Sequence, residues 1–389
     1  MTRQENIQKR RDYNGPAFFS GGFRPFFFGA GAFAIINVAL WVSYVSGHDI
    51  LGLTLTSTWH AHEMLFGFVA AAVAGFALTA IPNWTGQLPL RGLPLALLFL
   101  VWVLGRTFML LQLPYASVVD SLFLILLALF AGREVWAGKN WRNLPVVLVF
   151  SLFASANIIY HFEHTISSQL GGSGFRLGLT SIVMLVSLIG GRIVPSFTEN
   201  WLKAQGIAAR TISFNMFDKA VLLTSLAILL LWVYSPQNPA LIMGFFAISG
   251  LHLLRLLRWQ GWRTTSEPLV LMLHLAYLWL PISFAVMALE IMLGLPNVGI
   301  HALTVGAMSS MIIAVMTRAT LGHSGRQLKS DNITNAIYVA IWLAGLTRVL
   351  SFFMTSNYIN WVQLSATLWV VGFGFFIIGY SRYFFGQKN

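Results

Sequence analysis

Residues 57–81 read STWHAHEMLFGFVAAAVAGFALTAI. Histidines stand at 60 and 62 and a glutamate at 63, and the residues from Met64 onward are almost wholly apolar. A helical run of this length crosses the roughly 30 Å of hydrocarbon in a bilayer. The stretch therefore reads as a membrane helix that begins in a knot of titratable groups.

Working outward, similar runs recur at 24–46, 93–112, 115–132, 144–163, 175–195, 216–234, 240–258, 268–292, 299–318, 334–354 and 359–382. With 57–81 they predict twelve spans. Hydrophobic residues make up 57% of the 389, charged residues 9%, and the mean hydropathy is +0.73. Too few charges remain to cover a soluble surface, so the fold class is an all-α polytopic membrane protein of about twelve transmembrane helices. The domain reading is a cytoplasmic N-terminal tail over 1–22 and a single twelve-helix transmembrane domain over 23–389. The tail carries Lys9, Arg10 and Arg11 and lacks the apolar core of a signal peptide. No sequence repeat is evident, although repeat-built transporters also hide theirs.

An even number of spans places both termini on one side, and the basic residues choose it. With the N-terminus inside, all 24 Lys and Arg border the cytoplasm except Arg106, Arg176 and Arg348. Both termini are therefore expected to be cytoplasmic. The net charge of +12 is explained by this bias, and no nucleic-acid partner is expected.

Sidedness sorts the nine histidines by depth. His60, His62, His161, His164 and His301 fall at one outer level on three helices, and His48 lies in the first outer loop. His252, His274 and His323 form a second, inner set, which is read either as a further haem site or as packing and lipid-phosphate contacts. Polar residues inside a membrane are costly and face a cavity, a partner or a metal. Residues two apart differ by about 200° around a helix, so His60 and His62 point to opposite faces and suit two centres. Glu63 is expected to share the face of His60, and His161 and His164, three apart, to serve one metal.

With no cysteine, thiolate-held haem, iron–sulfur clusters and thiolate copper sites are excluded. The donors fit a haem iron with a second metal, copper before iron or zinc. Arg106 and Arg348 lie inside spans and need anionic partners. Haem propionates would serve, and so would Asp120 or Glu290; both readings stay open.

Four stretches carry a resemblance: FFSGGFRPFFFGAG (18–31), WHAHEMLFGFVAAAVAGFALTAIPNWTG (59–86), GGRIVPSFTEN (190–200) and HALTVGAMSSMIIAVMTRATLGHSGR (301–326). Together the set resembles the NnrS family. The resemblance implies a multi-pass protein of the bacterial inner membrane, containing haem (haem b) and copper and associated with denitrification and the response to nitric oxide. It implies no ligand-by-ligand assignment. The depth argument places metal ligands at His60, His62, His161, His164 and His301, and cofactor contacts at His60, His62, His301, Arg106 and Arg348. Glu63 is the expected proton donor, or the electrostatic stabiliser near the second metal, for reduction of nitric oxide. Beyond nitric oxide and membrane lipid, an enzyme of this kind needs an electron donor that the sequence does not identify. Two alternatives use the same residues: a non-catalytic, nitric-oxide-responsive haem–copper protein, and a transporter of copper or haem.

The charge bias makes the first prediction. A C-terminal reporter that is active only in the periplasm should stay silent, and strong activity there would overturn the sidedness on which the histidine grouping rests.

Overall fold

In the computed structural model the described residues are 13–48, 52–166, 172–208, 211–294 and 297–386, with side chains of 164–166 outside the description. Among them no strand occurs, and twelve helices are long and apolar enough to cross a membrane. In chain order these are α1 Phe23–Val45, α2 Ser57–Thr85, α3 Leu93–Leu110, α4 Ala116–Ala137, α5 Trp141–Glu163, α6 Ser173–Ala204, α7 Met216–Tyr234, α8 Ala240–Leu257, α9 Pro268–Leu293, α10 Val298–His323, α11 Asn332–Ser351 and α12 Thr355–Phe385. Each predicted span has its helix.

Local chemistry sets the helix ends. Thr56 caps α2 by accepting the Trp59 N–H at 3.0 Å. Asn215 and Asp218 form a reciprocal capping box on α7. Asp331 accepts the Thr334 N–H at 2.8 Å to start α11. Gly86 and Gly294 close α2 and α9 in the left-handed region. Several helices run past their expected ends, α6 furthest, through Pro195 to Ala204. Its polar last turns are held by Thr198, which donates to the Val194 carbonyl, and by a Glu199–Lys203 pair at 2.6 Å.

The residues cluster into two compact units. The first comprises Met1–Ser181, Ala319–Gln327 and Ile377–Asn389, and the second Ile182–Arg318 and Leu328–Phe376. Inside the first, α2 packs on α1 and α4, and α4 on α3 and α5. Inside the second, α9 packs on α8 and α10, and α10 on α11. Large apolar side chains such as Leu93, Tyr234, Met243 and Ile378 are exposed, as a surface that meets lipid requires.

A buried polar chain ties the second unit together. Asp218 accepts from Arg255 Nε at 2.7 Å, and Arg255 Nη1 donates to the Tyr277 hydroxyl at 2.9 Å and to the Ser187 carbonyl. The Ser225 hydroxyl spends its proton on the Val221 carbonyl, so His252 Nε2 donates to Ser225 and its Nδ1 accepts from Tyr277 at 2.8 Å. Both nitrogens of His252 are bonded, and the chain ends on a backbone carbonyl. That favours the packing reading for His252. Gly191 makes room for the guanidinium, because a Cβ there would collide with Arg255.

Gly191→Ala should therefore cost about 1–3 kcal/mol and lower the thermal melting point of the detergent-solubilised protein. Gly250→Ala, on the open face of α8 with nothing within 4 Å, should leave it unchanged. Equal melting points for the two variants would contradict this packing.

Candidate metal centre

Helix α2 departs from α-helical winding where its polar residues end. Ser57–His62 is α-helical, and Glu63–Val69 forms a π-helical stretch of seven residues. Such wide turns leave backbone groups to be satisfied from outside and are frequent at functional sites. Here the Gly67 carbonyl accepts from Trp102 Nε1 at 3.0 Å. Gly67 is needed for a second reason: a Cβ would come within 2.7 Å of Arg106 Nη1 and 2.8 Å of the Phe33 ring.

The two histidines do point to different helices. His60 turns to α1, where its Nδ1 lies 3.0 Å from Asn37 Oδ1 and its ring stacks on Trp41 at 4.9 Å and 9°. His62 turns the other way, toward α4 and α5, and is buried. Its Nε2 lies 3.1 Å from both Asn157 Oδ1 and Asp120 Oδ2. Asn157 Nδ2 donates to Asp120 Oδ2 at 2.8 Å, which fixes the amide so that its oxygen faces the imidazole. On the other side of the ring, Nδ1 lies 2.8 Å from Glu63 Oε1.

Glu63 thus partners His62, its neighbour in the chain. The expectation of a shared face with His60 assumed continuous α-helical winding, and the π-helical stretch begins at Glu63 itself. From α5, His161 Nε2 reaches Asp120 Oδ2 at 2.8 Å. Tyr160 pins the same helix to α2 by donating to the Thr58 carbonyl at 2.8 Å.

Arg106 of α3 binds the carboxylates together. Its Nη1 donates to Glu63 Oε1 at 2.7 Å and its Nη2 pairs with Asp120 Oδ1. Glu63 and Asp120 are 0% and 1% exposed, so neither charge has water to fall back on. Of the two readings of Arg106, the carboxylate pairing is the one present.

His62, Asp120 and His161 each offer a ligand atom, and these atoms all lie within 4.8 Å of one another. Two imidazoles and a carboxylate fit a first-row ion such as copper(II), iron or zinc. A porphyrin does not fit between them. The His62 and His161 rings are 4.8 Å apart, and Phe66 and Tyr160 lie 5.2 Å from His62.

The other expected residues fall elsewhere. His301 and Arg348 belong to the second unit, where Arg348 Nη2 lies 3.0 Å from His301 Nε2. Glu290 takes no part there; its Oε2 accepts the Gly299 N–H at 2.7 Å at the start of α10. His48 and His323 are exposed. Buried His274 bonds Thr198 at 2.8 Å. The His164 side chain and its expected pairing with His161 lie outside the described residues. Sequence reasoning missed Asp120 as a ligand and Asn157 altogether. The available signal was a lone carboxylate and a lone amide in apolar helices, each requiring a partner.

Fold and site define a class: a polytopic helical membrane protein with an imidazole–carboxylate cluster that could hold a metal ion. The family model described as NnrS protein matches residues 17–388, nearly the whole chain, and the protein belongs to the NnrS family. Membership suggests a membrane protein of the nitric oxide response. Among curated proteins nothing matches the chain.

Arg106→Met should be strongly destabilising, by about 3–5 kcal/mol, because it strands two carboxylates in the interior. The companion Arg106→Met/Glu63→Gln should recover part of the loss, as measured by thermal unfolding in detergent. A double variant no more stable than the single would show that the carboxylates are not held by this arginine.

Proposed function

We propose that this protein acts on nitric oxide at a metal held by His62, Asp120 and His161, within one transmembrane domain of the bacterial inner membrane whose termini are both cytoplasmic. The observation that carries the reading is the buried triad itself, continuous through His62 with Glu63 and Arg106. Family membership supports it. Copper is the ion we assign to the triad. We assign the haem to the other face of α2, where His60 would hold it, with Asn37 fixing the orientation of the ring at Nδ1.

When bound, these groups supply coordination positions and carry electrons for nitric oxide, which arrive from a donor outside the chain. Coupling two molecules of nitric oxide to N2O and water takes two electrons and two protons. The chain's own part is to exclude water, orient ligands and deliver protons. Burial of His62, Glu63 and Asp120 keeps the site dry, while nitric oxide, small and apolar, passes between lipid-facing helices. Glu63 holds His62 Nδ1 and fixes the ring, which leaves Nε2, on the side of Asp120, for the metal. Glu63, beside the triad and held by Arg106, is the carboxylate that would take up protons and pass them to the site.

Single variants separate the two centres. His62→Ala should lose copper and keep haem absorbance, His60→Ala should lose haem and keep copper, and Glu63→Gln should keep both while slowing N2O formation by about 10²-fold or more. Metal analysis, visible spectra and N2O yield on purified protein read all three. If both histidine variants keep full haem and copper, α2 holds no ligands and the proposal fails. If the wild type, fully loaded and reduced, binds nitric oxide without forming N2O, the protein is a nitric oxide binder and not a reductase.

A further inference from the structure

Helix α10 repeats the local plan of α2. A π-helical stretch of seven residues, Ala302–Met308, begins directly after His301, as Glu63–Val69 begins directly after His62. A glycine follows each histidine at the fifth position, Gly67 and Gly306, and each is closely approached by an aromatic ring, Phe33 and Trp279 respectively. A glycine at positive φ stands 24 residues after each histidine, Gly86 at 69° and Gly325 at 68°. The next helix in each case contains Gly-x-Thr, with Thr107 and Thr347 each donating to the carbonyl four residues back. An arginine flanks each threonine, Arg106 before it and Arg348 after it. The two units therefore present the same device, a histidine at a π-turn with an arginine on the following helix.

The charges differ. In the first unit the residue after the histidine is Glu63, and it meets Arg106. In the second, that residue is Ala302. Arg348 bonds only neutral groups among the described residues: His301 Nε2 at 3.0 Å, Ser351 Oγ at 2.7 Å and the Tyr358 hydroxyl at 3.3 Å. Its guanidinium also lies over the Phe352 and Tyr358 rings at 4.5 and 5.8 Å. None of the described carboxylates of that unit reaches it. Glu199 and Asp218 are in ion pairs, and Glu267, Glu290 and Asp331 accept backbone N–H groups. A half-buried guanidinium in a membrane helix requires a counter-charge.

We infer that Arg348, with His301 and Tyr358, forms a second ligand site of this protein, one that takes an oxyanion in place of the carboxylate that the first unit builds in. The fork of guanidinium donors matches a phosphate or carboxylate group. Besides the haem propionate that the sequence reading allows, two sources offer that chemistry. One is the phosphate of a phospholipid, whose chains would lie on the exposed Phe353, Met354 and Ile359. The other is a small free oxyanion.

The test uses the full-length purified protein and two probes: phosphatidylglycerol, read by native mass spectrometry after delipidation, and inorganic phosphate, read by calorimetry. One of them should bind the wild type with one-to-one stoichiometry, and the arm that binds names the source. Arg348→Gln should weaken that binding at least about tenfold, and Arg348→Lys, which keeps the charge but not the fork, should weaken it by less. Copper at His62 should stay unchanged in both variants, so this inference and the assignment of the metal triad fail separately. Binding of both probes that is the same in wild type and Arg348→Lys, or no binding by the wild type, overturns the inference. Should Arg348→Gln not fold, the lysine variant with matched melting point decides.

Discussion

One buried ionic knot constrains the first unit: Arg106 against Glu63 and Asp120. Three charges sit inside helices that otherwise read as hydrocarbon, and each is tolerable only because of the others. Arg106 brings α3 to α2 and α4; Asp120 brings α4 to α5 through Asn157 and His161. Glu63 fixes His62, which faces the same aspartate. Removing Arg106 leaves two buried carboxylates without their arginine and without water. The π-helical stretch is the backbone's share of this arrangement, since it turns Glu63 toward His62 and opens Gly67 to Arg106.

The membrane helices were legible in the sequence because hydrophobic length is a local property. Each of the twelve predicted spans coincides with a helix, and the boundaries shift where a polar turn continues, as at Thr198 and Glu199 of α6. The opposite faces of His60 and His62 were legible for a related reason: they follow from α-helical winding, which holds over Ser57–His62. The direction of Glu63 was not, because a π-turn has no plain signature in residue order. Nor was the joining of Asp120 and Asn157 to His62, since these come from helices far along the chain. Apolar neighbours say that such residues need partners without saying which.

Depth in the membrane gathered five histidines into one group, but depth is a single coordinate. It does not distinguish His62 and His161, which share Asp120, from His301, which belongs to another compact unit. The partners do distinguish them. His252 meets hydroxyl groups on both nitrogens within a chain that ends on a carbonyl, whereas His62 meets the Glu63 carboxylate at Nδ1 and, at Nε2, the Asp120 carboxylate that His161 shares. The first has the surroundings of a packing element and the second those of a ligand, although both are fully buried histidines in apolar helices.

The central claim is a sulfur-free centre of two imidazoles and a carboxylate, built from His62, Asp120 and His161. X-ray absorption at the copper edge of the purified protein tests it most directly. The account predicts a first shell of two nitrogen donors with imidazole scattering and one or two oxygens, with the imidazole signal reduced in His161→Ala. A sulfur shell from methionine, or a copper shell unchanged by loss of His161, would contradict it.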